Sequence, residues 1–232
     1  EARADLGFAF DGDGDRFAVV DEQGVYHDAN QTLVLLARDI LSRHPGTPVV
    51  YTVSCSGIVP AEIKALGGVP HMVPVGHSFV EQAMGQTGAL IGGEQSGHFF
   101  VAEKYYGFDD AAYAAAKLLK IFSQSDQPVS SFYAVLPKVH DRPERRPACP
   151  DEGKFELIAK MAQELSSEYE CNTLDGVRVE FGEGAWLGIR ASNTSPCLSV
   201  IMEARSQEQL AKIEEIAFRL LKRYDVHLEY SQ

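Results

Sequence analysis

Residues 6–20 read Leu-Gly-Phe-Ala-Phe-Asp-Gly-Asp-Gly-Asp-Arg-Phe-Ala-Val-Val. Two short apolar runs, residues 6–10 and 17–20, flank an Asp/Gly loop, and the turn sequence of residues 21–24 follows them. Such runs bounded by turn residues predict the two strands of a hairpin. Three aspartates alternate with glycines between the strands, so the loop predicts a site for a hard cation, Mg²⁺ or Ca²⁺, which prefers oxygen ligands.

The aspartate loop also fits an EF-hand in part. Positions 1, 3, 5 and 12 of such a loop would be Asp11, Asp13, Asp15 and Glu22. Position 6, which needs glycine for its sharp turn, is Arg16, and the flanking residues predict strands rather than helices. We therefore expect a cation loop between strands, with a solvated acidic turn as the alternative.

Outward from the hairpin, helices and strands alternate. Apolar residues recur at helical spacing after Asp28, with Asn30 as the predicted N-cap and Pro45 and Gly46 as the stop. We then predict strands at 49–53, 69–74 and 89–92 and helices at 60–66, 78–86 and 109–122, the last with Leu118 and Leu119 on its inner face. This alternation favours a parallel sheet covered by helices.

The pattern changes after residue 137. Residues 138–150 hold three prolines, four Lys or Arg residues and little that is apolar, which predicts a linker or surface excursion. Beyond it we predict a helix at 152–165, strands at 177–181, 186–189 and 198–203, and a helix at 206–222. Ser206 and Gln209 form a predicted capping box for that last helix. Helix, three strands and helix make an α+β unit.

Composition and charge exclude several function classes. With 232 residues, 45% hydrophobic and 23% charged, the chain is typical of a globular protein of one or two domains. Its net charge of −12 argues against nucleic-acid or anionic-membrane partners, because such a chain releases few counterions from them. No apolar run approaches the roughly 20 residues of a membrane span and no signal pattern opens the chain, so we expect a cytoplasmic protein. The start at Glu1, without Met, suggests an excised piece.

A second polar motif follows the strand predicted at 89–92. It reads Gly-Gly-Glu-Gln-Ser-Gly-His over residues 92–98. Its glycines expose the backbone, while Glu94, Ser96 and His98 offer an acceptor, a hydroxyl and a titratable ring. That set suits sugar hydroxyls, with an ordinary polar loop as the alternative.

A third polar motif, Arg-Ala-Ser-Asn-Thr-Ser-Pro over residues 190–196, lies between two predicted strands. A guanidinium, hydroxyls, an amide and free backbone N–H groups in one tight turn predict an anion site fit for phosphate. A Ser/Thr-rich β-turn is the alternative.

In this order and spacing the three motifs resemble those of the α-D-phosphohexomutase family, the phosphomannomutase/phosphoglucomutase branch in particular. The resemblance spans the chain and implies the end of domain 2 at 1–25, a sugar-binding domain 3 at 26–137 and a phosphate-binding domain 4 at 138–232. The implied fold is α/β, a mixed sheet with covering helices, followed by a smaller α+β domain like the TATA-binding protein. The family's N-terminal domains would be missing partners.

The resemblance also implies roles for single residues. It implies Mg²⁺ ligands at Asp11, Asp13 and Asp15, catalytic roles for Arg16 and His77, sugar contacts at Glu94, Ser96 and His98, and phosphate contacts at Arg190, Ser192, Asn193 and Thr194. The implied reaction moves a phosphoryl group between C1 and C6 of mannose or glucose phosphate through a bisphosphorylated sugar. Glucosamine phosphate is a third possible sugar, because the motif of residues 92–98 also occurs in phosphoglucosamine mutases.

Two departures from the family pattern concern activity. A phosphoserine loop of the Thr-Ala-Ser-His-Asn-Pro type does not occur in the sequence, so we expect no turnover by this chain alone. Many relatives carry a proton-transferring lysine where residues 53–56 read Val-Ser-Cys-Ser. Since Ser54 cannot act as a cationic acid, we expect His77 or His98 to transfer the proton or to position the sugar.

Two other functions stay open at this point. Phe-Ala-Phe before Asp11 and Asp13 resembles the first motif of haloacid-dehalogenase phosphatases, with Asp11 as nucleophile and Asp109 and Asp110 as a late acidic pair. Asp15 stands where that family usually has Thr or Val. The other alternative is a non-catalytic module that binds Ca²⁺ or a sugar phosphate.

Overall fold

The computed structural model describes residues 4–227. The chain divides into two compact units, Glu1–Pro137 and Lys138–Gln232. The first unit contains, in chain order, β1 (Leu6–Phe10), β2 (Phe17–Asp21), β3 (Tyr26–His27), α1 (Ala29–Arg43), β4 (Pro48–Thr52), α2 (Ile58–Ala65), β5 (Val69–Val73), α3 (His77–Thr87), β6 (Ile91–Gly93), β7 (Phe99–Val101), α4 (Ala111–Phe122) and α5 (Val129–Ala134). The second contains β8 (His140–Asp141), α6 (Lys154–Ser166), β9 (Glu170–Asn172), β10 (Val177–Glu180), β11 (Trp186–Ala191), β12 (Leu198–Ala204) and α7 (Gln207–Arg223).

The predicted hairpin at the start of the chain is present. β1 and β2 pair antiparallel, with Phe10 opposite Phe17, and β3 extends them to a three-stranded sheet. Residues 11–16 therefore form the loop at one end of this hairpin. Strands on both sides of the loop agree with the rejection of an EF-hand, which needs flanking helices.

The cap predicted for α1 was wrong by two residues. Asp28, rather than Asn30, is the N-cap, and its side chain accepts a hydrogen bond from the N–H of Gln31 at 3.0 Å. Asn30 already lies in the first helical turn, where its Oδ1 accepts the N–H of Ser56 at 2.9 Å. A cap must precede the helical residues whose N–H groups it satisfies.

The central sheet of the first unit is mixed. Its strand order is β5-β4-β6-β7, with β4 parallel to β5 and β6, and β7 antiparallel to β6. α3 packs Val80 and Met84 onto a core that includes Val50 and Phe100. The fold class predicted from the sequence is confirmed. The antiparallel strand β7 was not predicted, because its three residues are too few for a recognisable pattern.

The helices of the first unit differ from the prediction in two ways. Leu118 is fully buried on α4, but Leu119, expected on the same inner face, is 45% exposed. Successive residues of a helix project about 100° apart, so a narrow apolar face cannot hold both. α5 was not predicted, since six residues give too short a periodic pattern.

The second unit is an antiparallel sheet with two helices. Its strand order is β8-β12-β11-β10-β9. α6 lies against β9, β10 and β11, while α7 lies against β8, β11 and β12. Leu187 and Ile189 of β11 point into the core beneath the helices, together with Met161 of α6 and Leu210 of α7. This is the α+β unit predicted from the sequence.

The proline-rich stretch of residues 138–150 is not a free linker. β8 pairs with β12, Arg145 forms a bridge to Val200 in the same strand, and Ala148 forms a bridge to Cys197 just before it. The edge of a sheet has unpaired backbone N–H and C=O groups. This stretch pairs with those groups of β12, which orders it even though it holds few apolar residues.

The predicted capping box at α7 is half formed. The Ser206 Oγ accepts the N–H of Gln209 at 3.1 Å, but the Gln209 side chain accepts the N–H of Arg205 instead of that of Ser206.

Within residues 4–227, no helix is both long and apolar enough to cross a membrane.

Candidate functional site

The aspartate loop gathers three carboxylates at the tip of the first hairpin. One oxygen each from Asp11, Asp13 and Asp15 lies within 4.8 Å of the others. Asp11 Oδ1 accepts the N–H groups of Gly14 and Arg16, both at 3.2 Å, and Oδ2 accepts Arg16 Nε at 2.5 Å. The loop therefore holds its own shape through Asp11.

The charges of this loop fit a cation. Burial opposes ionisation of Asp11, but the hydrogen bonds from Arg16 outweigh it and lower the pKa of this carboxyl to about 2. Asp15 Oδ1 is buried and has no hydrogen-bond partner among the described residues, although Arg16 Nε lies 3.6 Å away. A carboxylate oxygen removed from water is stabilised by hydrogen bonds or by a nearby cation, and three carboxylates are the donor set that Mg²⁺ prefers.

The hydroxyl loop, residues 92–98, lies against the aspartate loop. Phe17 donates its N–H to the carbonyl of Gly97 at 3.3 Å, and Arg16 forms a β-bridge with His98. Gly97 has a φ of +98°, and a Cβ there would lie 3.1 Å from the carbonyl oxygen of Phe17. Glycine thus permits the close approach of the two loops.

Glu94 is the buried centre of the hydroxyl loop. Its side chain is 5% exposed; Oε1 accepts the N–H of Gly76 at 2.9 Å, and Oε2 lies 3.0 Å from His98 Nδ1 and 3.3 Å from Ser96 Oγ. Burial opposes its charge, yet the hydrogen bonds from His98 and Gly76 lower the pKa of Glu94 overall. Glu94 therefore presents a carboxylate anchored on three sides.

His98 joins the two loops through its ring. Nδ1 lies 2.7 Å from Ser96 Oγ, and Nε2 lies 3.4 Å from Asp15 Oδ2. Asp109, just before α4, also places an oxygen within 4.8 Å of the Asp15 and His98 ligand atoms. Burial disfavours the imidazolium, but the surrounding carboxylates, Glu94 first, raise the pKa of His98 overall.

His77 is the first residue of α3, one position earlier than the helix predicted from the sequence. Its side chain is 67% exposed, with Nδ1 3.9 Å from Glu81. The preceding residue, Gly76, donates to Glu94, so the start of α3 is tied to the hydroxyl loop while the His77 ring extends into solvent.

The phosphate loop, residues 190–196, connects β11 and β12 in the second unit. It contains the predicted residues Arg190, Ser192, Asn193 and Thr194. Ser192 is buried, and its Oγ accepts Arg146 Nη2 at 3.3 Å and the N–H of Thr194 at 3.4 Å. Arg190 Nε is buried without a hydrogen-bond partner in the described part of the chain, so this loop has a donor in need of an acceptor.

Two domain models of one family match the chain. The phosphoglucomutase/phosphomannomutase α/β/α domain III matches residues 28–139, and the C-terminal domain of the same family matches residues 145–220. The chain belongs to the phosphoglucomutase/phosphomannomutase family. This membership confirms the resemblance drawn from the three motifs. The same membership argues against the alternative of a haloacid-dehalogenase phosphatase with Asp11 as its nucleophile.

Relatives in this family are about twice as long as the chain. A phosphomannomutase/phosphoglucomutase of Pseudomonas putida is 40% identical over 230 residues, which cover 99% of this chain and 50% of that protein. A phosphoglucomutase of Neisseria meningitidis serogroup A is 42% identical over 214 residues, covering 91% of this chain and 46% of that protein. A crystal structure of a phosphoglucomutase/phosphomannomutase family protein from Burkholderia thailandensis has a TM-score of 0.89 at 35% identity, over 98% of this chain and 49% of that one. The chain thus spans about half the length of the curated relatives it matches.

Two cations that the sequence motifs of this phosphoglucomutase/phosphomannomutase chain do not include, Arg146 and Lys154, contact the phosphate loop. Arg146 lies in the stretch that was interpreted as a linker. Lys154 had a detectable signal, because it continues the apolar face of α6 formed by Ile158, Met161 and Leu165. A lysine at a core position of an amphipathic helix indicates a buried, fully partnered ammonium.

Proposed function

We propose that the chain supplies the sugar-binding and phosphate-binding parts of a phosphohexomutase. This enzyme would move a phosphoryl group between the C1 and C6 oxygens of mannose or glucose phosphate through a bisphosphorylated sugar. The observation that carries the proposal is His98, held between Glu94 of the hydroxyl loop and Asp15 of the aspartate loop. Phosphoryl transfer between sugar hydroxyls needs a group that gives and regains a proton next to a charge-neutralising site.

Asp11, Asp13 and Asp15 would hold Mg²⁺. When bound, the ion supplies positive charge to the oxygens of the transferring phosphoryl group. Arg16 keeps Asp11 ionised and fixes its orientation through the 2.5 Å hydrogen bond. Asp15 Oδ1, which is buried and accepts no hydrogen bond among the described residues, supports the assignment of Asp15 as a ligand.

We assign proton transfer to His98 rather than to His77. Glu94 and Ser96 hold Nδ1 of His98 and orient the ring, and Nε2, which lies 3.4 Å from Asp15 Oδ2, would give a proton to the departing oxygen and regain one from the attacking hydroxyl. The His77 ring is largely in solvent and would position the sugar. Glu94 would accept hydrogen bonds from sugar hydroxyls, and the Ser96 hydroxyl would donate to them or accept from them.

Arg190, Ser192, Asn193 and Thr194 would hold the substrate phosphate that is not transferred. The buried, unpartnered Arg190 Nε supports this assignment, because a phosphate oxygen is the acceptor it lacks. The phosphoryl donor would come from another part of the full-length protein, since the sequence contains no phosphoserine loop of the family type.

Calorimetry with mannose 1-phosphate tests the phosphate assignment. A hydrogen bond to a charged group contributes about 1.5–3 kcal/mol, so Arg190→Ala should weaken binding roughly 10- to 150-fold. Arg219→Ala, which removes a 69% exposed arginine from α7, is the matched control and should bind like the wild type. Equal affinity of the two variants would refute the assignment.

Titration with Mg²⁺ tests the metal assignment. Asp13→Asn removes one carboxylate from the aspartate loop and should weaken Mg²⁺ binding about tenfold or more. Asp126→Asn makes the same change in an exposed bend and should leave Mg²⁺ affinity unchanged. If both variants bind Mg²⁺ like the wild type, the three aspartates are not its ligands.

A further inference from the structure

The phosphate loop rests on a buried ammonium group. Lys154, the first residue of α6, has a side chain only 4% exposed. Its Nζ donates to the carbonyl of Ser192 at 2.5 Å, to the carbonyl of Ser195 at 3.1 Å and to Asp151 Oδ1 at 2.6 Å. All three N–H donors of the ammonium are therefore used, as the burial of a charge requires.

The bond to Ser192 sets the direction of a peptide group. In a trans peptide the C=O and the next N–H point in opposite directions. With the Ser192 carbonyl directed at Lys154, the N–H of Asn193 is turned to the opposite side of the loop. That N–H has no hydrogen-bond partner within residues 4–227. The second bond, to the carbonyl of Ser195, anchors the far end of the loop. The next residue, Pro196, has no N–H.

We propose that Lys154 is a positioning residue, which presets the phosphate loop so that the Asn193 N–H faces an anion before the anion binds. This inference rests on the proposed function of the loop. Lys154 is not itself a phosphate ligand, because its donors are used and Asp151 balances its charge. A loop that is already ordered loses less entropy when it binds, which raises affinity.

Paired lysine variants of the 232-residue chain test the proposal. Lys154→Met should weaken binding of inorganic phosphate and mannose 1-phosphate about tenfold, measured by calorimetry at a temperature where circular dichroism shows the variant folded. Lys160→Met makes the same change at an exposed position of α6 and should stay within about twofold of the wild type.

Arg190→Ala separates this inference from the proposed function. If Arg190→Ala abolishes binding and Lys154→Met does not weaken it, the loop binds phosphate but Lys154 does not position it. If neither variant changes affinity, phosphate binds elsewhere and both proposals are refuted.

A measurement on the unmutated chain covers the case in which Lys154→Met does not fold. Backbone ¹⁵N relaxation of Asn193 and Thr194 without ligand should give order parameters of about 0.85, the value of rigid backbone. Values below ~0.6 would show a loop that becomes ordered only on binding, and would overturn the proposal.

Discussion

Glu103 connects three parts of the first unit, and its loss should have a pH-dependent cost. Its side chain is 7% exposed and accepts hydrogen bonds from Arg43 at 3.0 Å and Lys117 at 2.6 Å, with His44 Nε2 at 3.1 Å. These contacts join the end of α1 to α4. Glu103→Gln preserves the shape of the side chain and removes the charge that all three partners face.

The pKa of Glu103 sets the size of the effect. Hydrogen bonds from Arg43, and then from Lys117, lower this pKa from 4.5 to about 2 despite burial. At about 1.4 kcal/mol per pH unit, that interval corresponds to roughly 3 kcal/mol of unfolding free energy at neutral pH. Arg43 is 41% exposed, so water screens the pair and we expect a loss of about 1–2 kcal/mol.

The sign of the pH dependence follows from a lowered carboxyl pKa. The contribution is complete above pH 4.5 and disappears as the pH falls from 4.5 towards 2. Urea denaturation followed by circular dichroism should therefore show the full deficit of Glu103→Gln at pH 7 and a smaller one at about pH 3.

Two controls isolate this effect. Glu81→Gln, at a 40% exposed position of α3, should change stability little. The single tryptophan, Trp186, lies in the second unit, so its fluorescence follows the transition of that unit beside the circular dichroism of the whole chain. A deficit of equal size at both pH values would refute the electrostatic origin.

Three further predictions concern packing and activity. Leu118→Ala should lower the unfolding free energy by about 2–5 kcal/mol, whereas Leu119→Ala should cost under about 1 kcal/mol; equal urea midpoints would contradict their different burial. Gly176→Ala should lower the urea midpoint of the Trp186 fluorescence transition, because the new Cβ would lie 2.3 Å from the carbonyl oxygen of Ile189 at a φ of +76°; an unchanged midpoint would contradict this contact. The 232-residue chain with mannose 1-phosphate and a hexose 1,6-bisphosphate should give no mutase turnover in a coupled assay, and measurable turnover would show that it holds its own phosphoryl donor.

Strands and helices were predictable where their sequence patterns were long. The 15-residue α1 and the 17-residue α7 show clear periodicity, and their predicted spans agree with the structure to within a few residues. β7 and β9, each three residues long, give no pattern that separates them from loops. Such short strands exist because neighbouring strands offer hydrogen-bonding edges, which depend on tertiary structure.

The amino-acid sequence by itself determined the local chemistry of this protein. The alternation of Asp11, Asp13 and Asp15 places three carboxylates in one hairpin loop, since residues so close along the chain cannot be far apart in space. Only the tertiary structure decided that the His98 ring lies between Glu94 and Asp15, and that Lys154 supports a carbonyl 38 residues away. Contacts of that kind form when elements that are separate in the sequence pack together, and the spacing of residues along the chain does not predict them.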